Sequence, residues 1–174
     1  MSDFELIHRP AISTKPVESS DAFAMKAMPE GTLIHILGKP GAENLTATLQ
    51  GLFGGEANRI RTFGPGQWLV VRDEPTSRSD LQALFERLDT RAFAVDQTHG
   101  RIRIEVAGRA VQSLLAKGTA IDLNAVAVGQ SAMTLMGHIS VHITRIALNR
   151  FELIVLRGFG QSLWDEIAHL NADF

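Results

Sequence analysis

The 174-residue chain contains no cysteine, so thiolate nucleophiles, thiolate metal sites, cysteine-ligated clusters and a disulfide framework are excluded. Its histidines are His8, His35, His99, His138, His142 and His169, and none stands in a His-Glu-x-x-His spacing. His138 and His142 lie four apart along a predicted strand, about 13 Å, too far to share one metal ion. A lone strand histidine such as His35 reads as a hydrogen-bonded core residue. There is no Gly-x-Ser-x-Gly elbow, and Ser131 and Ser140 fall in predicted strands. The run Gly158-Phe159-Gly160-Gln161-Ser162-Leu163 resembles a dinucleotide fingerprint, but Leu163 occupies the third glycine's place, so a structural turn is expected. Most acids fall on polar helix faces (Glu43, Glu86, Asp165, Glu166) or in loops (Asp73, Glu74, Asp89). Asp96 differs, because it ends an apolar strand and opens Asp96-Gln97-Thr98-His99-Gly100-Arg101. Its carboxylate is placed to accept from the amides ahead of it in an Asx-type turn. Asp96 and His99 are also the candidates for binding a ligand, while no catalytic set and no metal site is expected.

Composition bounds the rest. With 45% hydrophobic and 21% charged residues the chain can bury a sizeable core in one domain or two small lobes. Net charge is −2, and with no Tyr and two Trp there is neither a basic face nor a stacking platform, so nucleic acid is not expected as a partner. No apolar run approaches the roughly 18 residues of a membrane span. The absence of an export-type leader makes the cytoplasm the expected location.

These residues must be positioned by elements legible in the hydrophobic period. Residues 1–31 show no period, carry Pro10, Pro16 and Pro29, and are expected to form an extended arm. Its Phe4, Leu6, Ile7, Ile12 and Phe23 suit a partner's groove. A strand Thr32 to Leu37 precedes a helix with the stripe Leu45, Leu49 and Leu52. Runs 58–63 and 67–72 form a hairpin across Gly64-Pro65-Gly66, and Ser77 with Asp80 opens a helix carrying Leu81, Leu84, Phe85 and Leu88. The order recurs: strand Arg101 to Val106, a helix with Val111, Leu114 and Leu115, strands 131–136 and 139–146 joined by Gly137-His138, strand Phe151 to Leu156, and a helix with Leu163, Ile167 and Leu170. In this repeat Trp68-Leu69-Val70-Val71 aligns with Glu152-Leu153-Ile154-Val155. The expectation is an α+β fold of two β-α-β-β-α units, 32–91 and 92–174, with mixed or antiparallel sheets and helices on one face. Arg101, Arg103 and Glu105 alternate with Ile102, Ile104 and Val106, so their face is expected to meet solvent or a partner subunit.

Asp96-Gln97-Thr98-His99-Gly100-Arg101, Gly108-Arg109-Ala110 with Leu114-Leu115-Ala116-Lys117-Gly118, Ile121-Asp122-Leu123, and Thr134-Leu135-Met136-Gly137-His138-Ile139 together resemble the gamma subunit of heterotetrameric sarcosine oxidase. Trp68, Phe151 and Trp164 continue the match. A broader resemblance is to the folate-binding aminomethyltransferase fold of the glycine-cleavage T-protein. That family's hairpin carries adjacent carboxylates where this chain has Val141-His142, and a strand-end asparagine where it has Leu156-Arg157. Relatives with a reactive Lys-Gly-Cys are matched only by Lys117-Gly118-Thr119. The resemblance implies a small non-catalytic subunit of a complex that demethylates sarcosine oxidatively to glycine, hydrogen peroxide and a one-carbon unit. Its partners would be the alpha, beta and delta subunits. Flavin (FAD, FMN), NAD and tetrahydrofolate would reside in those subunits, with no cofactor in this chain. The alternatives are a degenerate folate-fold module acting as a homodimer, and a folate-dependent one-carbon transferase using Asp96 or His99.

Overall fold

Each strand of this chain presents alternate residues to two different environments, and that alternation decides the architecture. The computed structural model describes residues 9–13, 20–54 and 59–172; Phe4, Leu6 and Ile7 of the arm lie outside them. Strands β1 (Ala24–Ala27) and β2 (Thr32–Gly38) precede helix α1 (Leu45–Phe53). Hairpin β3 (Ile60–Gly64) and β4 (Gln67–Arg72) leads to α2 (Arg78–Leu88) and β5 (Ala92–Asp96). Then come β6 (Arg101–Ala107), α3 (Val111–Leu115), β7 (Ser131–Met136), β8 (Ile139–Ala147), β9 (Arg150–Leu156) and α4 (Gly160–Ala172). The strands form two antiparallel sheets, ordered β3-β4-β2-β5 and β1-β6-β9-β8-β7.

The fold is α+β, with helices outside and the two sheets inside. Ile34, Ile36 and Val70 pack under Leu45, Leu49, Phe53 and Leu88 of α1 and α2. Ile102, Ile104, Val106, Leu153 and Val155 pack under α3 and α4, through Val111, Leu114, Leu115, Leu163, Trp164 and Ile167. The opposite faces of the two sheets meet each other through Leu33, Leu69, Val71 and Ile154. Local signals hold where expected: Ser77 Oγ accepts from the Asp80 amide at 3.1 Å to cap α2, and Met136 pairs with Ile139 across Gly137-His138. Gly137 has φ 56°, which a two-residue hairpin turn requires.

The face carrying Arg101, Arg103 and Glu105 was expected to meet solvent or another subunit. Around Arg103, which is buried, it faces the chain's own first sheet instead, while Arg101 at the start of the strand is only half-buried. The repeat also sits one residue out of register. Leu69 and Val71 face the second sheet as Glu152 and Ile154 face the first, while Val70 and Leu153 point to the helices. A one-residue slip exchanges faces, so Glu152 corresponds to Leu69 and not to Trp68. Trp164 is buried and Trp68 packs half-buried on the first core.

The units interlock at their edges. Ala92–Asp96, expected to begin the second unit, pairs with β2 and completes the first sheet. The arm's β1 adds to β6 in the second sheet, beside the strand that corresponds to β2. Ile12 and Phe23 of the arm are buried in the second core rather than presented to a partner. Arg109 and Ala110 amides donate to the Asp21 and Ala22 carbonyls at 3.2 and 3.0 Å. Gly108 makes this approach feasible: at φ 129°, a Cβ there would stand 2.3 Å from the Ala22 carbonyl oxygen.

Phe23→Ala is therefore expected to lower the unfolding free energy by about 3–5 kcal/mol, and Gly108→Ala by more than about 1 kcal/mol. Urea denaturation measures both; an arm merely resting on the surface would leave the two values near zero.

Candidate functional site

The layer between the sheets holds most of the chain's buried polar side chains. Strand β9 is apolar on its helix-facing side, and its alternate positions present Glu152 and Ile154 to the other sheet. Glu152 is buried, and its Oε1 accepts from Arg61 Nη1 at 2.7 Å. Arg103 Nε lies 3.4 Å from the same oxygen. Arg103 also bonds Asp73 and donates to the Arg72 carbonyl at 3.2 Å. Arg61 arrives from β3, Asp73 from the end of β4, and Glu152 and Arg103 from β9 and β6. The cluster thus ties four strands of two sheets. Beside it opens a cavity of about 210 Å³ lined by Arg59, Arg61, Arg72, Asp73, Glu105 and Glu152. Glu105 accepts from Arg150 at 2.7 Å. Charges of both signs line the cavity, and Arg61, Asp73, Glu105 and Glu152 among them pair with oppositely charged neighbours.

A second cluster centres on Phe63. Its ring stacks on His142 at 5.7 Å and lies 4.8 Å from His35, with the Arg101 guanidinium 5.2 Å over it. His142 Nε2–H donates to the Thr62 carbonyl at 2.9 Å, leaving Nδ1 as a buried acceptor without a partner among the described residues. Burial pushes the His142 ring down to about 4, with Arg61 and Arg101 adding to the depression against the Thr62 bond. His35 Nε2–H donates to Gln67 Oε1 at 3.0 Å, and burial lowers its pKa as well. Burial likewise depresses Arg101. A histidine kept neutral in this way does not serve as a general acid near pH 7.

The sequence-derived candidates lie elsewhere. Asp96 Oδ1 accepts from the Thr98 amide at 2.9 Å, the Asx-type turn expected, and Thr98 Oγ1 in turn accepts from the Leu33 amide at 3.1 Å. His99 is 78% exposed, 3.4 Å from Glu30, which also binds Arg157 at 2.6 Å. Gly100 donates to the Gln97 carbonyl within the same turn. Asp122 Oδ1 accepts from the Asn124 amide at 3.0 Å, and His138 is exposed at its hairpin tip. Phe151 is buried under the Arg145 guanidinium. Sequence reasoning passed over Glu152, Arg61 and His142. The available signal was Glu152 as a lone carboxylate within Phe151-Glu152-Leu153-Ile154-Val155, a run otherwise fit for burial on both faces. Among the described residues no three His, Asp or Glu converge as a metal site, and no helix is long and apolar enough to cross a membrane.

No protein-family model and no curated protein matches the chain. In structure it is similar to a chain of the heterotetrameric sarcosine oxidase of Corynebacterium sp. U-96, solved in complex with pyrrole 2-carboxylate. The TM-score is 0.78 at 18% identity, covering 91% of this chain and 88% of that one. It is also similar to the glycine cleavage system aminomethyltransferase T of Bartonella henselae, with TM-score 0.55 at 14% identity. There the match covers 84% of this chain but 45% of the other. At these identities the likeness is one of fold, and it is the fold expected from the sequence.

Glu152→Gln, which leaves Arg61 buried against a neutral amide, is expected to cost about 3–5 kcal/mol in denaturant unfolding. The paired change Arg61→Met with Glu152→Met should cost less than the sum of its single changes. Stability should also depend on His142. The unfolded ring titrates near 6.5 and the native one near 4, so the unfolded state binds the proton first. The contribution from keeping the ring neutral is complete above the unfolded value and is lost as pH falls towards the native one, by up to about 3 kcal/mol. His142→Gln should flatten that segment of the urea-midpoint profile.

Proposed function

We propose that this chain is the small, gamma-type subunit of a heterotetrameric sarcosine oxidase and serves its assembly rather than its chemistry. The observation that carries the reading is coverage. The match to the sarcosine oxidase chain takes in 91% of this chain and 88% of that one, so the two are of nearly equal length. The aminomethyltransferase, by contrast, is matched over less than half its length. The motifs of the sequence resemblance lead independently to the same complex.

A non-catalytic role is supported by what stands at the positions where the aminomethyltransferase resemblance would put acids. Val141 and His142 are both buried, and His142 is engaged with Thr62. Arg157, beside the position of the expected asparagine, is held by Glu30. Glu152, the buried carboxylate nearby in the fold, already pairs with Arg61 and Arg103. This donor set does not fit tetrahydrofolate, because Glu152, the buried carboxylate at this place, is already engaged and is not available to orient the reacting nitrogen or take its proton. In this reading flavin, NAD and tetrahydrofolate belong to the alpha, beta and delta subunits, and the complex works in the cytoplasm.

Co-expression of the tagged chain with the large subunits from its own organism tests the proposal. A single complex carrying flavin absorbance and producing peroxide from sarcosine is the expected result. Separate elution of this chain, with oxidase activity undiminished in its absence, would overturn it.

A further inference from the structure

The Phe63 cluster lies between the two sheets, yet its surroundings are open. Cross-strand partners share a sheet face, and three cluster residues have exposed apolar partners. Met133 pairs with His142, Leu156 with Arg101, and Val95 with His35. Two positions further along the same faces stand Leu135 and Phe93. These five are between 41% and 60% exposed, and they make up most of the exposed large apolar side chains among the described residues. Val128 and Leu148, by contrast, lie away from the rim in loops. The inner faces of the sheets therefore cover one another around Glu152 and His142, but not around the Arg101 and His35 side of Phe63. The uncovered part is bounded by β5, an outermost strand whose outer backbone edge is unpaired among the described strands, and by the exposed side chains of β7, against which β3 packs. An apolar edge of this kind is a template for another strand.

Charge identifies the occupant. Arg101 is half-buried, lies over Phe63, and makes no ion pair or side-chain hydrogen bond among the described residues. The acids on the inner faces, Glu105 and Glu152, already pair with Arg150, Arg61 and Arg103. A desolvated cation without a counter-charge, ringed by apolar surface, is complemented by a carboxylate on an apolar segment. A second copy of this chain presents no such carboxylate on this face, since the acids of its own inner faces, Glu105 and Glu152, are already paired. We propose that the rim formed by Phe93, Val95, Met133, Leu135 and Leu156 docks an extended apolar segment of a partner subunit, and that this segment carries a carboxylate for Arg101. The inference rests on the subunit role proposed above and names the surface through which that role is exercised.

The test uses the chain co-expressed with the other oxidase subunits, and measures association of the purified variants with the remaining complex. Val95→Glu and Leu135→Glu alter exposed side chains, so thermal unfolding close to the unaltered chain is expected of both. Each, like Arg101→Glu, should weaken association by about tenfold or more. Leu148→Glu, an exposed apolar residue off the rim, should leave it within about twofold. Undiminished binding of Val95→Glu, Leu135→Glu and Arg101→Glu would overturn the surface while leaving the subunit role intact. A homodimer of the unaltered chain that Val95→Glu dissociates would overturn the choice of occupant. Failure of the unaltered chain to associate at all would overturn both readings.

Discussion

Two antiparallel sheets facing each other must fill the layer between them, and this chain fills much of it with charge. Glu152 sits between Arg61 and Arg103, buried, with Arg103 reaching on to Asp73. Removing such ions from water costs several kcal/mol each, and their mutual attraction offsets that cost only in good geometry. The relative placement of the sheets is therefore constrained more tightly than apolar contact through Leu33, Leu69, Val71 and Ile154 would require. A slide of one sheet over the other would separate buried opposite charges. The outer, helix-covered faces carry no such constraint, and their apolar packing supplies cohesion without direction.

The same layer explains why the pseudo-repeat is chemically lopsided. Leu69 in the first sheet corresponds by face to Glu152 in the second, so one unit contributes an apolar position where the other contributes the buried anion. Strands β3 and β6 then supply the arginines from opposite sheets. The edges are shared as well: β5 follows the first unit and completes its sheet, while β1 comes from the arm and completes the second. The units are locked together by strand exchange at their edges and by ions at their centre.

Rigidity at one end of the layer coexists with openness at the other. Around Phe63 the histidines are hydrogen-bonded, and Arg101 has no counter-ion among the described residues. Burial holds His142 at about 4 and lowers His35 as well, so His142 carries no charge near neutral pH. Apolar area, an unpaired strand edge and a cation with no counter-charge among the described residues are means of recognition.

Much of this architecture was legible along the chain. The α+β class, the hairpin turns at Gly64-Pro65-Gly66 and Gly137-His138, the Ser77 cap and the Asp96 turn depend on local periods and backbone preferences, which neighbouring residues express on their own. Even the face of Arg101, Arg103 and Glu105 could be drawn from alternation alone. What that face would meet could not, because period two separates faces without saying what lies opposite. Tertiary structure decided that around Arg103 it meets the chain's own first sheet, that Phe23 belongs to the second core, and that Glu152 is the shared anion of two arginines. Each of these joins residues far apart in sequence, where no local preference reaches and where packing and counter-charge alone select the partner.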